Sequence, residues 1–165
     1  MKLIKLGVFS ILSLFAIASF IGILLPSTVL VSRAVNITAK KDSIINYVKD
    51  IEQWKGWMDG MQQASVQIQS PTHADLGGTI VAITGISDSA ILSSWTTKNG
   101  NLQTSIIRMI GDSTQKITIV QWQFEQKLKW YPWERLGSMM NDKILGTMME
   151  KNLNNLKLLV EKNNH

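Results

Sequence analysis

The sequence contains no cysteine, which excludes a disulfide framework, a thiolate metal site and a cysteine nucleophile together. Histidine is nearly as scarce: His73 stands in a polar stretch and His165 is the last residue. Neither belongs to an H-x-x-H or H-E-x-x-H spacing, and no paired carboxylates, G-x-S-x-G elbow or phosphate-binding glycine loop occurs. No metal and no cofactor is therefore expected. His73 beside Asp75 is the only adjacent acid–base pair with a histidine, and neighbouring loop residues of this kind are usually solvated.

Charge is also sparse, at 18% of residues against 45% hydrophobic. The formal net charge is +5, but Lys2 and Lys5 lie in the N-terminal tail and the other lysines are scattered. A nucleic-acid surface needs a concentrated basic stripe, so no nucleic-acid partner is expected. What is abundant is bulk: six Trp and eight Met in 165 residues supply large, adaptable packing surfaces for one domain.

Residues Leu6 to Leu25 (LGVFSILSLFAIASFIGILL) carry no charge. At about 1.5 Å per residue such a run covers the roughly 30 Å hydrocarbon core of a bilayer. Pro26 ends it. Ala16-Ile17-Ala18 resembles a signal-peptidase site, so cleavage is the competing reading. The apolar run continues through Ser19–Leu25, which favours an uncleaved anchor. The reading divides the chain into residues 1–27, a tail with a transmembrane anchor, and residues 28–165, a folded domain. Lys2 and Lys5 precede the span while Arg33, Lys40 and Lys41 follow it within the counting window; the nearest charges, Lys2 and Lys5, favour an inside N-terminus and a domain outside the cytoplasm.

Thr28–Ala39 is β-branched and reads as a strand, with Arg33 interrupting its apolar parity. Ile44, Val48 and Ile51 recur at helical spacing, with Asp42 in the first turn. Trp54, Trp57 and Met58 extend that surface, and Gly56 and Gly60 divide it into two short helices. Strand-like pieces follow at Val66–Gln69, Thr79–Thr84, Ala90–Thr97, Leu102–Ile110 and Lys116–Phe124. Asn99-Gly100 is a strong hairpin signal. A long helix from about Trp133 to Lys162 closes the chain, with Leu136, Met140, Leu145, Met149, Leu153, Leu156 and Val160 on one face. Helices segregated from an antiparallel sheet define an α+β architecture.

Several segments resemble the START/polyketide-cyclase (SRPBCC) superfamily. They are Leu25–Ala39 as first strand, Asp50-Ile51 followed by Trp54 and Trp57 (a D-[LIV]-x-x-W-x-x-W segment), Gly77-Gly78-Thr79, the strand Thr118–Phe124, and the closing Leu153–Glu161. The resemblance runs from about Thr28 to Glu161, with the membrane lead-in of many bacterial members. It implies a helix-grip fold, an antiparallel sheet curled around the last helix over a hydrophobic cavity, and a bacterial inner-membrane setting. It implies no particular reaction.

The candidate ligand-binding residues are Trp54, Trp57, Arg108, Trp122, Phe124, Met140 and Met149. The two tryptophans share a helix face and either cap a pocket or wedge the helices onto the sheet. Trp122 and Phe124 read as cavity wall, and Met140 and Met149 as a tolerant thioether lining. Arg108 holds an anionic group if its strand parity faces inward, and is a surface residue otherwise. Arg33 is a candidate for lipid phosphate, and Trp130-Tyr131-Pro132-Trp133 for a pocket rim or a membrane interface. Three functions fit: membrane-anchored binding of a lipid or other small hydrophobic molecule, a cyclase/hydrolase-type enzyme, or a protein-interaction domain with a filled core. No catalytic constellation is found, so catalytic residues are unknown. An apolar interior would favour binding, and two or more inward ionisable groups would favour catalysis.

Overall fold

Period-two alternation along seven strands builds one antiparallel sheet. β1 (Thr28–Ile37), β2 (Val66–Ser70), β3 (His73–Leu76), β4 (Ile80–Ser87), β5 (Ala90–Thr96), β6 (Leu102–Ile110) and β7 (Thr118–Lys127) are joined in the order β1-β7-β6-β5-β4-β3-β2. A helix α1 (Lys2–Leu24) precedes the sheet. Helix α2 (Lys41–Val48) and a 3₁₀ turn (Ile51–Gly56) lie between β1 and β2, and α3 (Pro132–Asn163) closes the chain. This computed structural model describes residues 2–24, 26–112, 116–129 and 131–164, with backbone alone at 2, 3, 132, 133, 136 and 138–141. The α+β helix grip is the architecture observed.

On the inner face, residues of adjacent strands stand in rows. Val81, Trp95, Gln103, Gln126 and Val29 form one row across β4, β5, β6, β7 and β1. Ser93, Ser105, Phe124 and Val31 form the next, and Ile91, Ile107, Trp122 and Arg33 the one beyond. The C-terminal half of α3 covers the far rows with Met149, Leu153, Leu156 and Val160, all buried. Side-chain ties fix the helix there: Glu161 accepts from Thr38 N–H at 2.8 Å, and Asn163 Nδ2 donates to the Tyr47 hydroxyl at 3.0 Å.

Arg33 shares the inward parity of β1 because Gly146 of α3 leaves room for it. A Cβ there would collide with the guanidinium. Arg33 Nε lies 2.7 Å from Glu150 and Nη1 3.6 Å from Asp142, so the guanidinium clamps α3 to β1 and is not presented to lipid phosphate.

Two expectations need correction. The turn assigned around His73 contains the short strand β3 instead. His73 Nδ1 is within 3.0 Å of Thr72 Oγ1, while Asp75 accepts from Gly78 N–H, so the two residues hold other partners and not each other. Only one of the two expected short helices is an α-helix, since Trp54 sits in a 3₁₀ turn and Trp57 follows it. Pro132 does open α3, from its N1/N2 position; the rings of Trp130 and Trp133 fall outside the described residues.

α1 is long and apolar enough to cross a membrane, and the rest of the chain covers little of it. Arg135 of α3 donates to the carbonyls of Gly22 and Ile23 at 2.7 and 3.3 Å. A cation thus satisfies two carbonyls that the helix end leaves open.

Gly77 and Gly78 both have positive φ, 68° and 100°, a conformation glycine tolerates best. At Gly78 a Cβ would also strike the Lys98 stem. Gly78→Ala is expected to cost about 1–3 kcal/mol, read as a lower urea midpoint with unchanged slope.

Candidate functional site

The D-I-x-x-W-x-x-W segment places two indoles against the sheet, where they join a closed ring of five aromatics. Trp54 stacks on Trp95 with centroids 6.0 Å apart and planes within 10°. Trp95 meets Phe124 edge-on at 5.2 Å, and Phe124 meets Trp122 at 5.5 Å. Trp122 meets Trp57 edge-on at 5.8 Å, and Trp57 returns to Trp54 at 6.1 Å. These are tilted, offset or edge arrangements that the ring quadrupoles favour, each worth about 0.5–1.5 kcal/mol beyond burial.

Every indole N–H in this ring is satisfied from within the protein. Trp54 donates to Val48 O at 2.8 Å and Trp57 to Tyr47 O at 2.9 Å. Trp95 donates to Ser93 Oγ at 2.9 Å and Trp122 to Ser105 Oγ at 2.8 Å. The two serines explain the local geometry. Small inward residues in the middle of β5 and β6 leave space for the indoles, and their hydroxyls hold them there.

Between this ring, the inner rows of the sheet and α3 lies a cavity of about 320 Å³. Trp95, Trp122 and Phe124 form one wall, with Leu145, Met148 and Asn152 of α3 opposite. The segment Met58–Met61 closes one end. A second cavity of about 210 Å³ adjoins it, sharing Gln103, Phe124, Leu145 and Met148, and reaches Val29, Gln126 and Ile144. Together they make one groove along the seam between sheet and helix. Ile144 is 68% exposed and Met148 44%, so the Val29 end has an apolar rim.

Polar groups in the groove are mostly amides. Gln103 Nε2 donates to Gln126 Oε1 across β6 and β7 at 3.1 Å. Asn152, 1% exposed, accepts through Oδ1 from Asp59 N–H at 3.0 Å. Asp59 is the sole ionisable residue lining either cavity among the described residues. Its carboxylate is engaged by Lys151 at 2.7 Å and by Asn155 Nδ2 at 3.3 Å. No three of His, Cys, Asp or Glu among the described residues gather as they would around a metal ion.

The sequence-derived candidates separate into layers. Trp122 and Phe124 line the groove. Trp54 and Trp57 stand one layer behind it, buried to 1% and 2%, so they wedge the 3₁₀ turn onto the sheet. Met149 packs in the core at 0% exposure, and its neighbour Met148 takes the cavity position. Arg108 is corrected to the outer face of the sheet, where Nη1 donates to Gln123 at 2.7 Å; its strand parity is that of the exposed Ile110. The side chain of Met140 lies outside the described residues. Trp95, Met58, Met61 and Asn152 were not singled out from the sequence. The strand parity it shares with Ile91 and Ser93 could have indicated Trp95, but nothing local marks Asn152.

No protein-family model matches the sequence, and no curated protein matches it. Solved structures do resemble the fold. A START superfamily protein from Mycobacterium smegmatis superposes with a TM-score of 0.62 at 18% identity, over 81% of this chain and 97% of that one. A protein from Nitrosospira multiformis gives 0.60 at 11% identity, over 79% and 94%. The di-domain ARO/CYC protein StfQ from the steffimycin biosynthetic pathway gives 0.60 at 9% identity, over 82% of this chain and 52% of that one.

Ser105→Ala would leave the buried Trp122 N–H without its acceptor. A loss of about 1–3 kcal/mol is expected, with a changed tryptophan emission maximum in the folded protein as the second readout.

Proposed function

Its fold is that of START and polyketide-cyclase proteins, and from that premise we propose that residues 28–165 bind one small hydrophobic molecule in the seam groove while residues 1–27 tether the domain to a membrane. The observation that carries this reading is the chemistry of the lining. Aromatic faces and methionines dominate it, with a few amides and one carboxylate already committed to Lys151. Acid–base catalysis needs convergent ionisable groups, so the lining supports binding over turnover. At about 320 Å³ the main cavity sits at the low end of the roughly 300–1,000 Å³ typical of drug-sized ligand sites. That size suits a single compact molecule.

Tethering gives the groove a source of ligand. Val29 is five residues beyond Leu24 in the chain. At most about 3.6 Å per residue keeps that end of the groove within roughly 18 Å of the end of α1. An apolar mouth held so close to a bilayer can exchange its occupant with lipid.

Native mass spectrometry with organic extraction of the full chain purified from membranes tests the reading. One retained hydrophobic molecule per chain is expected, on a chain of full mass that resists carbonate extraction. Leu145 lines both cavities, so Leu145→Trp should fill the groove and abolish retention with the fold preserved by circular dichroism. A chain shortened by the first segment would remove the tether. Equal retention by Leu145→Trp would move binding away from the groove.

A further inference from the structure

Resting on the binding reading, we propose that the molecule held in this groove is uncharged and presents a hydrogen-bond acceptor, such as a carbonyl oxygen, to Asn152 Nδ2. Asn152 lines the main cavity and its Nδ2 is buried without a hydrogen-bond partner. Its orientation is fixed chemically: Oδ1 accepts from Asp59 N–H at 3.0 Å, and a flipped amide would set two donors against each other. A buried donor left unmade is costly. Asn152 is a wall residue of the main cavity, so an occupant there is the group from outside the fold that comes nearest to Nδ2.

The indole donors of the wall are accounted for. The indole N–H groups of Trp95 and Trp122 are held by Ser93 and Ser105, so these rings offer a ligand only their apolar faces and edges. An anion is disfavoured independently. No Lys or Arg lines either cavity among the described residues. Arg33, the nearest guanidinium on the inner face, is engaged by Glu150 and Asp142. A carboxylate or phosphate in the groove would be desolvated without a counter-charge, beside the Asp59 carboxylate. A neutral acceptor meets Asn152 without that penalty.

Three probes of one shape separate these terms: acetylnaphthalene, ethylnaphthalene and naphthoate. They are titrated calorimetrically into the full chain in lipid nanodiscs, with empty nanodiscs subtracted. Acetylnaphthalene is expected to bind roughly 3- to 10-fold more tightly than ethylnaphthalene, and naphthoate most weakly. Asn152→Leu should erase the preference for the ketone over ethylnaphthalene. Asn152→Asp keeps the acceptor for Asp59 N–H while replacing the donor, and should also erase the preference if the leucine variant fails to fold. Binding of naphthoate as tight as that of acetylnaphthalene would overturn the proposal. So would a ketone preference that survives both substitutions. If ethylnaphthalene binds and acetylnaphthalene binds no better, this inference fails and the binding reading stands. If none of the three binds, both fall.

Discussion

The aromatic ring formed by Trp54, Trp95, Phe124, Trp122 and Trp57 is the contact on which the rest of the domain depends. A 3₁₀ turn of six residues has no independent stability, because its hydrogen bonds are poorly aligned and its nucleus is costly. Here it is held by two indoles pressed into the sheet, each returning its N–H to the end of α2 at Val48 or Tyr47. The same two rings touch β5 through Trp95 and β7 through Trp122. One set of side chains therefore positions α2, the turn and the centre of the sheet together. The segment that follows, Met58–Met61, reaches across the groove because the turn before it cannot shift.

That arrangement separates packing from recognition. A core made of tryptophans would ordinarily offer a ligand several donors, since each indole carries one N–H. With the N–H groups drawn into backbone carbonyls and serines, the wall becomes nearly pure π-surface and thioether. Polarity is left mostly to amides, Gln103 and Gln126 on the sheet, Gln63 before β2 and Asn152 on the helix, beside the hydroxyls of Thr79 and Thr97 and the Asp59 carboxylate held by Lys151. Amides hydrogen-bond without charge, so the groove can hold a molecule of mixed polarity and still exclude ions. Asn152 joins the two roles, fastening the turn through Oδ1 while its Nδ2 is left over.

Much of the fold was legible because its signals are local. The uncharged run before Pro26, the Asn99-Gly100 hairpin and the apolar face of α3 each follow from a short stretch of chain. The Asn99-Gly100 hairpin does form, but Gly100 alone has positive φ, 74°, and Thr97 pairs with Asn101 while Gly100 N–H donates to Thr97 O at 2.8 Å, so the loop has three residues where a two-residue turn was expected. The site was less legible. In Ser105–Ile110 (SIIRMI) each parity has two apolar residues and one polar one, Ser105 or Arg108, so periodicity could not say which faces inward; the outer face carries isoleucines. On α3, Met148 and Met149 are about 100° apart, and a 3.6-residue period does not distinguish a cavity-facing position from a core-facing neighbour. β3 has only four residues, two of them charged or titratable, and pairs because β2 and β4 flank it. Asn152 was invisible because an asparagine in a polar helical stretch normally faces water.

The holding energy is unevenly spread along α3, and this bears on how a closed groove could be filled. From Leu153 onward the helix is fixed by buried Leu153, Leu156 and Val160, each worth about 1.5–3 kcal/mol of burial. Before Met149 the described stretch from residue 142 has no fully buried large side chain, and its polar tie to β1 is Arg33 with Asp142 and, beyond Met149, Glu150, whose acidic side chains are 55% and 58% exposed. Exposed ion pairs contribute about 0–1 kcal/mol. The weaker hold coincides with Ile144, Leu145 and Met148, the residues that roof the Val29 end of the groove. Local opening favours the stretch with the fewest buried apolar contacts, so α3 should part from β1 there before its C-terminal half moves. That end lies on the side of the chain where α1 terminates and where Arg135 joins the two helices. Weak roof, apolar rim and proximity to α1 converge on one mouth, while the Asn152 end remains the fixed floor against which an occupant would be oriented.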